Sequence, residues 1–177
     1  MSYISSIFYN VGQNGPSILL VFTVYLLWNK KTMGFYYLLG YFLNSMVNLV
    51  LKGIFQQPRP SEDIVKFNTM LKNGKAHMFK DGGIPFNIFG MPSGHAQSCL
   101  YSTIFVFLTL HRTDLLFFYL LLSMITIYQR IHFKYHTLFQ TVAGSICGII
   151  FAYLIFSFST QKLKGKLRAK PDDNGPI

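Results

Sequence analysis

Three short polar blocks stand at the edges of apolar segments. They are Lys52-Gly53-Ile54-Phe55-Gln56-Gln57-Pro58-Arg59-Pro60, Pro92-Ser93-Gly94-His95, and Arg130 followed after five residues by His136. Together they supply three cations, two imidazoles and a glycine-containing turn. That set suits one task, holding a phosphoryl group while an imidazole attacks it. A phosphoryl group in transfer spreads negative charge over its equatorial oxygens, and fixed cations stabilise that charge. Arg offers a planar fork to such oxygens and Lys a point charge. Histidine serves as nucleophile or acid near neutral pH.

Each block alone also has a plainer reading. Pro92 suits the first turn of a helix, where its missing N–H costs nothing. Ser93 and Gly94 would place a hydroxyl and open backbone amides at that helix start, which carries partial positive charge and attracts anions. An ordinary cap and turn with an incidental histidine reads the same way. Lys52 could be a snorkelling lysine at a helix end, and Arg130 an interfacial arginine before a polar linker. His132 matches no position of the pattern and reads as interfacial.

The elements that must position these blocks are membrane helices. Of 177 residues, 51% are hydrophobic, and the charges gather in gaps between long uncharged stretches. The fold class expected is all-α, a polytopic bundle of about five transmembrane helices. The first is centred on Pro16 to Trp28 and can begin earlier, in Tyr3 to Val11, with Gly15-Pro16 as a kink. The others run from Gly34 to Lys52, Ser93 to His111, Asp114 to Ile131 and Tyr135 to Ser159, with a polar loop from Gln56 to Pro92. Residues 1–160 form one membrane-embedded domain, and residues 161–177 a basic, disordered cytoplasmic tail. Five crossings put all three blocks on one side of the membrane.

The net charge of +10 does not point to nucleic acid, because no basic helix or exposed aromatic platform accompanies it. The basic tail from Lys162 to Lys170 reads as an anchor beside anionic lipid. Setting aside Lys52, Arg59 and Arg130, which have a chemical reason for their place, the positive-inside rule makes the tail cytoplasmic. The site then faces the lumen or the outside. Cys99 and Cys147 fall inside apolar segments and read as small buried hydrophobes. The stretch Met1 to Gly15 has no Lys or Arg, so it lacks the charged start of a cleaved signal peptide. Six carboxylates, none in a ligand-spaced cluster, argue against a two-metal phosphatase.

Taken together, Lys-x6-Arg-Pro, Pro-Ser-Gly-His and Arg-x5-His resemble the type 2 phosphatidic acid phosphatase superfamily over about Lys52 to Gln140. The resemblance implies a metal-independent enzyme with no cofactor, whose last histidine becomes a phosphohistidine. It makes His136 the nucleophile and His95 the acid for the leaving group. It makes Lys52, Arg59, Ser93, Gly94 and Arg130 the phosphate clamp. The implied partners are a lipid phosphate or diphosphate and the surrounding membrane lipids.

Two positions depart from the common pattern. Gln129 stands where many members have Ser, and Gln140 where many have Asp, four residues after the nucleophile. One helical turn would put Gln140 on the face of His136, where its carbonyl oxygen could accept the imidazole N–H but supplies no charge. The dolichyl diphosphatase branch of the family also has Gln there. The stretches Tyr135 to Gln140, Gln56 to Pro60 and Gly90 to Gln97 look like that branch, which implies hydrolysis of a polyprenyl diphosphate in the endoplasmic reticulum. A phosphatidic acid or other lipid monophosphate phosphatase is the rival within the chemistry. A non-catalytic phospholipid-binding membrane protein is the rival outside it. Gly144 and Gly148 continue the His136–Gln140 series at four-residue steps and read as a close-packing face between helices.

Overall fold

The computed structural model describes residues 3–72, 76–77, 84–85 and 88–164. Among the described residues six helices follow in chain order: α1 (Tyr3–Leu26), α2 (Lys31–Phe55), α3 (Ile64–Lys72), α4 (Gly94–Leu110), α5 (Thr113–His132) and α6 (Leu138–Lys164). Between α3 and α4, strands β1 (Ala76–His77) and β2 (Ile84–Pro85) pair in parallel. The other regular elements among the described residues are helices, as the long uncharged stretches imply.

Local chemistry sets the helix ends. Gln56 takes a left-handed conformation, φ 45°, and its N–H donates to Lys52 O, which stops α2 one turn after Lys52. His111, φ 50°, closes α4 in the same way on Phe107 O. Asp63 caps α3, its Oδ1 accepting from Val65 N at 2.9 Å and Lys66 N at 3.2 Å. The 56–92 loop therefore contains a capped helix that its polar composition conceals. The first helix starts at Tyr3, with Pro16 inside it. The last helix begins at Leu138, three residues later than Tyr135, so His136 lies in the turn before it. Residues 165–177 of the tail lie outside the described residues.

Helix α4 is the centre of the bundle and packs against α1, α2, α5 and α6. It is buried nearly all round, from Ala96 through Tyr101 and Phe105 to Thr109, as a core helix must be. Among the described residues, three helices are long and apolar enough to cross a membrane: Lys31–Phe55, Thr113–His132 and Leu138–Gln161. Helix α4 has only 17 residues, and α1 carries Asn10, Gln13 and Asn14 in its first half.

The outside is oily, and the inside mixes apolar clusters with polar side chains. Val21, Phe42, Val50, Phe117, Leu121, Met124 and Leu154 are exposed. A soluble protein rarely presents so large an apolar surface, whereas a bilayer requires it. Hydrogen bonds join the helices within: Thr23 to Tyr119 at 2.9 Å, Tyr37 to Ser102 at 2.8 Å and Thr103 to Ser123 at 3.0 Å. Gln97 of α4 donates to Asn44 O and Oδ1 of α2 and accepts from Asn48 Nδ2 at 2.8 Å. Helix α6 approaches α4 through glycines: a Cβ at Gly144 would collide with the Ser93 backbone, and one at Gly148 with the Gln97 backbone. The four-residue spacing is thus a packing face, and it fixes the helix that follows His136.

Candidate active site

The first and second blocks meet edge to edge. Pro58 and Phe89 form an antiparallel bridge, and Gly90 N donates to Gln57 O at 2.6 Å. Lys52, in the last turn of α2 and 6% exposed, donates from Nζ to Phe89 O at 2.5 Å. A carbonyl holds this ammonium without cancelling its charge. Phe89 is wedged in turn against Phe67 of α3, ring centroids 5.9 Å apart, so the missed helix supports the loop that supports Lys52. Arg59 follows the bridge. Its Nε is buried with no partner in the protein, and burial draws its pKa below the usual value.

The second block opens α4. Ser93 is fully buried; its N–H donates to Gln140 O at 3.0 Å and its carbonyl accepts from Gln97 N at 3.0 Å. Its hydroxyl caps nothing and has no protein partner, so the ordinary cap does not account for it. Gly94 passes close to Asn48 of α2. His95 faces α1, with Nε2 3.1 Å from Gln13 O. A carbonyl can only accept, so Nε2 is the donor and carries the proton.

The third block is folded back on itself. The N–H groups of Tyr135 and His136 both donate to Arg130 O, at 3.0 and 3.1 Å, and Lys134 supplies the left-handed turn at φ 57°. Arg130, 4% exposed, places its guanidinium 4.2 Å from the centre of the Tyr135 ring and donates from Nη1 to Gln13 Oε1 at 2.5 Å. His136, 2% exposed, donates from Nδ1 to Gly90 O at 2.9 Å. This bond fixes the proton on Nδ1 and leaves the lone pair on Nε2. Burial, followed by the charges of Arg59, Lys52 and Arg130, lowers the His136 pKa to about 3. The imidazole is therefore neutral, with a free lone pair, at neutral pH. The same three cations act electrostatically on His95. All three blocks thus converge, as their placement on one side of the bundle requires.

Gln140 does not touch the imidazole as its spacing suggests. His136 precedes the helix, so the one-turn relation fails, and the acceptor for its N–H is Gly90 O. Gln140 instead closes a capping box with Thr137: Thr137 N donates to Gln140 Oε1 and Gln140 N to Thr137 Oγ1, each at 3.2 Å. Its Nε2 donates to Pro58 O at 3.0 Å, and its amide lies against Gly90, where a Cβ would come 2.5 Å from Oε1. Gln140 thus acts on His136 at one remove, by fixing the start of α6 and the Pro58–Gly90 loop. Sequence reasoning missed this although Thr137-Leu138-Phe139-Gln140 is a readable capping-box pattern. It also missed Gln13, which belongs to no block, and Gly90 O, a backbone group without a side-chain signal. Gln129 is fully buried against Gly12 of α1, with neither amide atom paired. His132 is exposed and stacks on Tyr128.

The helical bundle thus gathers two imidazoles and three basic side chains at one end, a set of groups suited to an anion. Comparison with known proteins agrees: the PAP2 superfamily profile matches residues 33–164, and the chain belongs to that superfamily. Among curated proteins it is 28% identical to Dolichyldiphosphatase 1 of Rhinolophus ferrumequinum over 84% of this chain and 62% of the relative. It is 26% identical to Dolichyldiphosphatase 1 of Homo sapiens over 82% of this chain and 61% of the relative. The chain thus aligns with under two thirds of the length of these relatives. No solved structure matches it.

Proposed function

We propose that this protein is a metal-independent lipid phosphatase that removes the terminal phosphate of a polyprenyl diphosphate such as dolichyl diphosphate. His136 Nε2 attacks the terminal phosphorus, and the bond to the bridging oxygen breaks. His95 enters this step as the imidazolium, keeps its Nε2 proton on Gln13 O and gives its Nδ1 proton to that oxygen, which leaves on the lipid monophosphate. Water then attacks the phosphohistidine, His95 takes its proton, and inorganic phosphate leaves. Lys52, Arg59, Arg130, the Ser93 hydroxyl and the amide of Gly94 hold the phosphoryl oxygens through both steps.

The observation that carries this reading is the Nδ1 bond from His136 to Gly90 O, which leaves Nε2 bare among three cations. The polyprenyl substrate is favoured by the branch resemblance and the curated relatives. A groove of about 350 Å³ between α1, α2 and α4 adds support: Pro16, Ser17, Ser45, Leu49 and Ser98 line it, and it reaches His95. Such a groove gives a lipid chain a sideways path to the site. Gln140 lends no weight to the non-catalytic rival, since its amide has a structural role that Asp would fill poorly.

Residues 1–160 act as one domain. The helix ends opposite the site carry Lys30, Lys31 and Arg112, which favours a cytoplasmic tail and a lumenal site, in the endoplasmic reticulum by the branch resemblance. The test is to quench turnover of substrate labelled on its terminal phosphate and look for the label on histidine. Acid-labile, alkali-stable label on His136, lost in His136→Gln, is expected. Turnover without label on protein, in a quench fast enough to trap a bound intermediate, would remove the covalent mechanism.

A further inference from the structure

Gln13 lies outside every motif, yet two polar site residues from different helices converge on it. Its Oε1 accepts from Arg130 Nη1 of α5, and its main-chain carbonyl accepts from His95 Nε2 of α4. We propose that Gln13 is a positioning residue for phosphoryl transfer: its side chain aims the Arg130 guanidinium, and its carbonyl keeps a proton on His95 Nε2, leaving Nδ1 to exchange protons with the reaction. The inference rests on the functional reading above and deepens it.

Helix α1 is built to bring Gln13 to this place. Gly12 and Gly15 flank it, and a Cβ on either would collide with α5, at Gln129 and Thr126 respectively. Two glycines three residues apart cost helix stability in exchange for close approach. One turn before Gln13, the Tyr9 hydroxyl meets the Tyr135 hydroxyl at 3.1 Å, and the Tyr135 ring faces the Arg130 guanidinium. Arg130 is therefore gripped from two sides by groups that α1 supplies or braces.

The chemistry of the grip matters as much as its geometry. A carboxylate would hold the guanidinium more tightly but would cancel the charge the phosphate needs. An amide oxygen and an aromatic face orient it and leave its charge intact. Arg130 Nε is buried and has no protein partner, so the anchored guanidinium keeps donor capacity for an anion.

The test compares Gln13→Met, which keeps shape and loses the acceptor, with Gln13→Glu, which keeps the acceptor and adds a charge. Each is made in the wild-type and Arg130→Lys backgrounds. The readouts are phosphate release from dolichyl diphosphate, inhibition by orthovanadate and thermal unfolding in detergent. Gln13→Met is expected to lower kcat/KM and vanadate affinity at least about tenfold, the scale of one hydrogen bond to a charged group. Gln13→Glu should keep the unfolding midpoint and most of kcat but raise KM and weaken vanadate. In the Arg130→Lys background, Gln13→Met should add less than about twofold, because the bond it removes is already gone. The same loss in both backgrounds would make Gln13 a packing residue and overturn the proposal, as would wild-type kinetics in Gln13→Met. If the wild type releases no phosphate from any lipid phosphate, the functional reading fails. Direct vanadate binding then decides the Gln13–Arg130 grip: weakening by Gln13→Met supports it, and unchanged binding overturns it.

Discussion

Replacing Gln140 by Leu keeps the side chain's bulk and removes every polar contact of its amide. Thr137 N loses its capping acceptor and Pro58 O loses a donor. Gln140 is 2% exposed, but Thr137 is exposed and Pro58 half-buried, so water can recover part of what each group loses. A hydrogen bond at such partly exposed groups is worth about 0.5–1.5 kcal/mol net, so the two together give a loss of about 1–3 kcal/mol. Gln140→Glu separates the parts. It can still cap Thr137 through a carboxyl oxygen, but when ionised it turns an acceptor toward Pro58 O, and about half the loss is expected. Gln140→Asp is a methylene too short for the capping box and should resemble Leu more than Glu. The assay is thermal unfolding in detergent alongside kcat/KM for phosphate release. The expected order of midpoints is wild type, Glu, then Asp and Leu, separated by several degrees. Activity should fall in the same order, because the Pro58–Gly90 loop carries the acceptor of His136. Wild-type midpoint and turnover in Gln140→Leu would refute the reasoning, since the loop would then stand without its strut.

His136→Ala should abolish phosphate release while expression and detergent behaviour stay intact; residual turnover at wild-type rates would remove His136 as nucleophile. His136 also makes stability depend on pH. Its folded pKa of about 3 lies below the unfolded value of about 6.5, so between those limits the unfolded chain binds the extra proton. The unfolding midpoint should therefore fall as the pH drops from about 6.5 toward 3, and His136→Gln should flatten that slope. An equal slope in wild type and variant would contradict it. Gly144→Leu should drive α6 away from Ser93, lowering both midpoint and turnover; a normal midpoint would mean the helices separate at no cost.

The sequence made the helices and the three blocks legible because each rests on a local signal: apolar length, a Pro-Ser-Gly turn, a cation six or seven residues from its partner. Gly144 and Gly148 were legible for the same reason, by their four-residue step. Helix α3 was not, because a nine-residue helix inside a polar loop has too few turns for periodicity to declare itself, and Asp63 alone marks its start. The orienting acceptor of His136 is a main-chain oxygen at Gly90, and no residue type announces that. Gln140 misled for a physical reason. Counting one helical turn back to His136 assumed a helix already begun, whereas the Thr137 capping box starts it one residue too late. Gln13 depends wholly on how closely α1 lies to α5, which is a property of the packed bundle.

The most direct test of the central claim is phosphate release from dolichyl diphosphate by the purified full chain in detergent with EDTA present, with phosphatidic acid in parallel. Metal-independent release of one phosphate per lipid is expected, with the diphosphate preferred. Release from phosphatidic acid alone would contradict the substrate assignment. No release from either, by folded protein, would contradict the phosphatase itself.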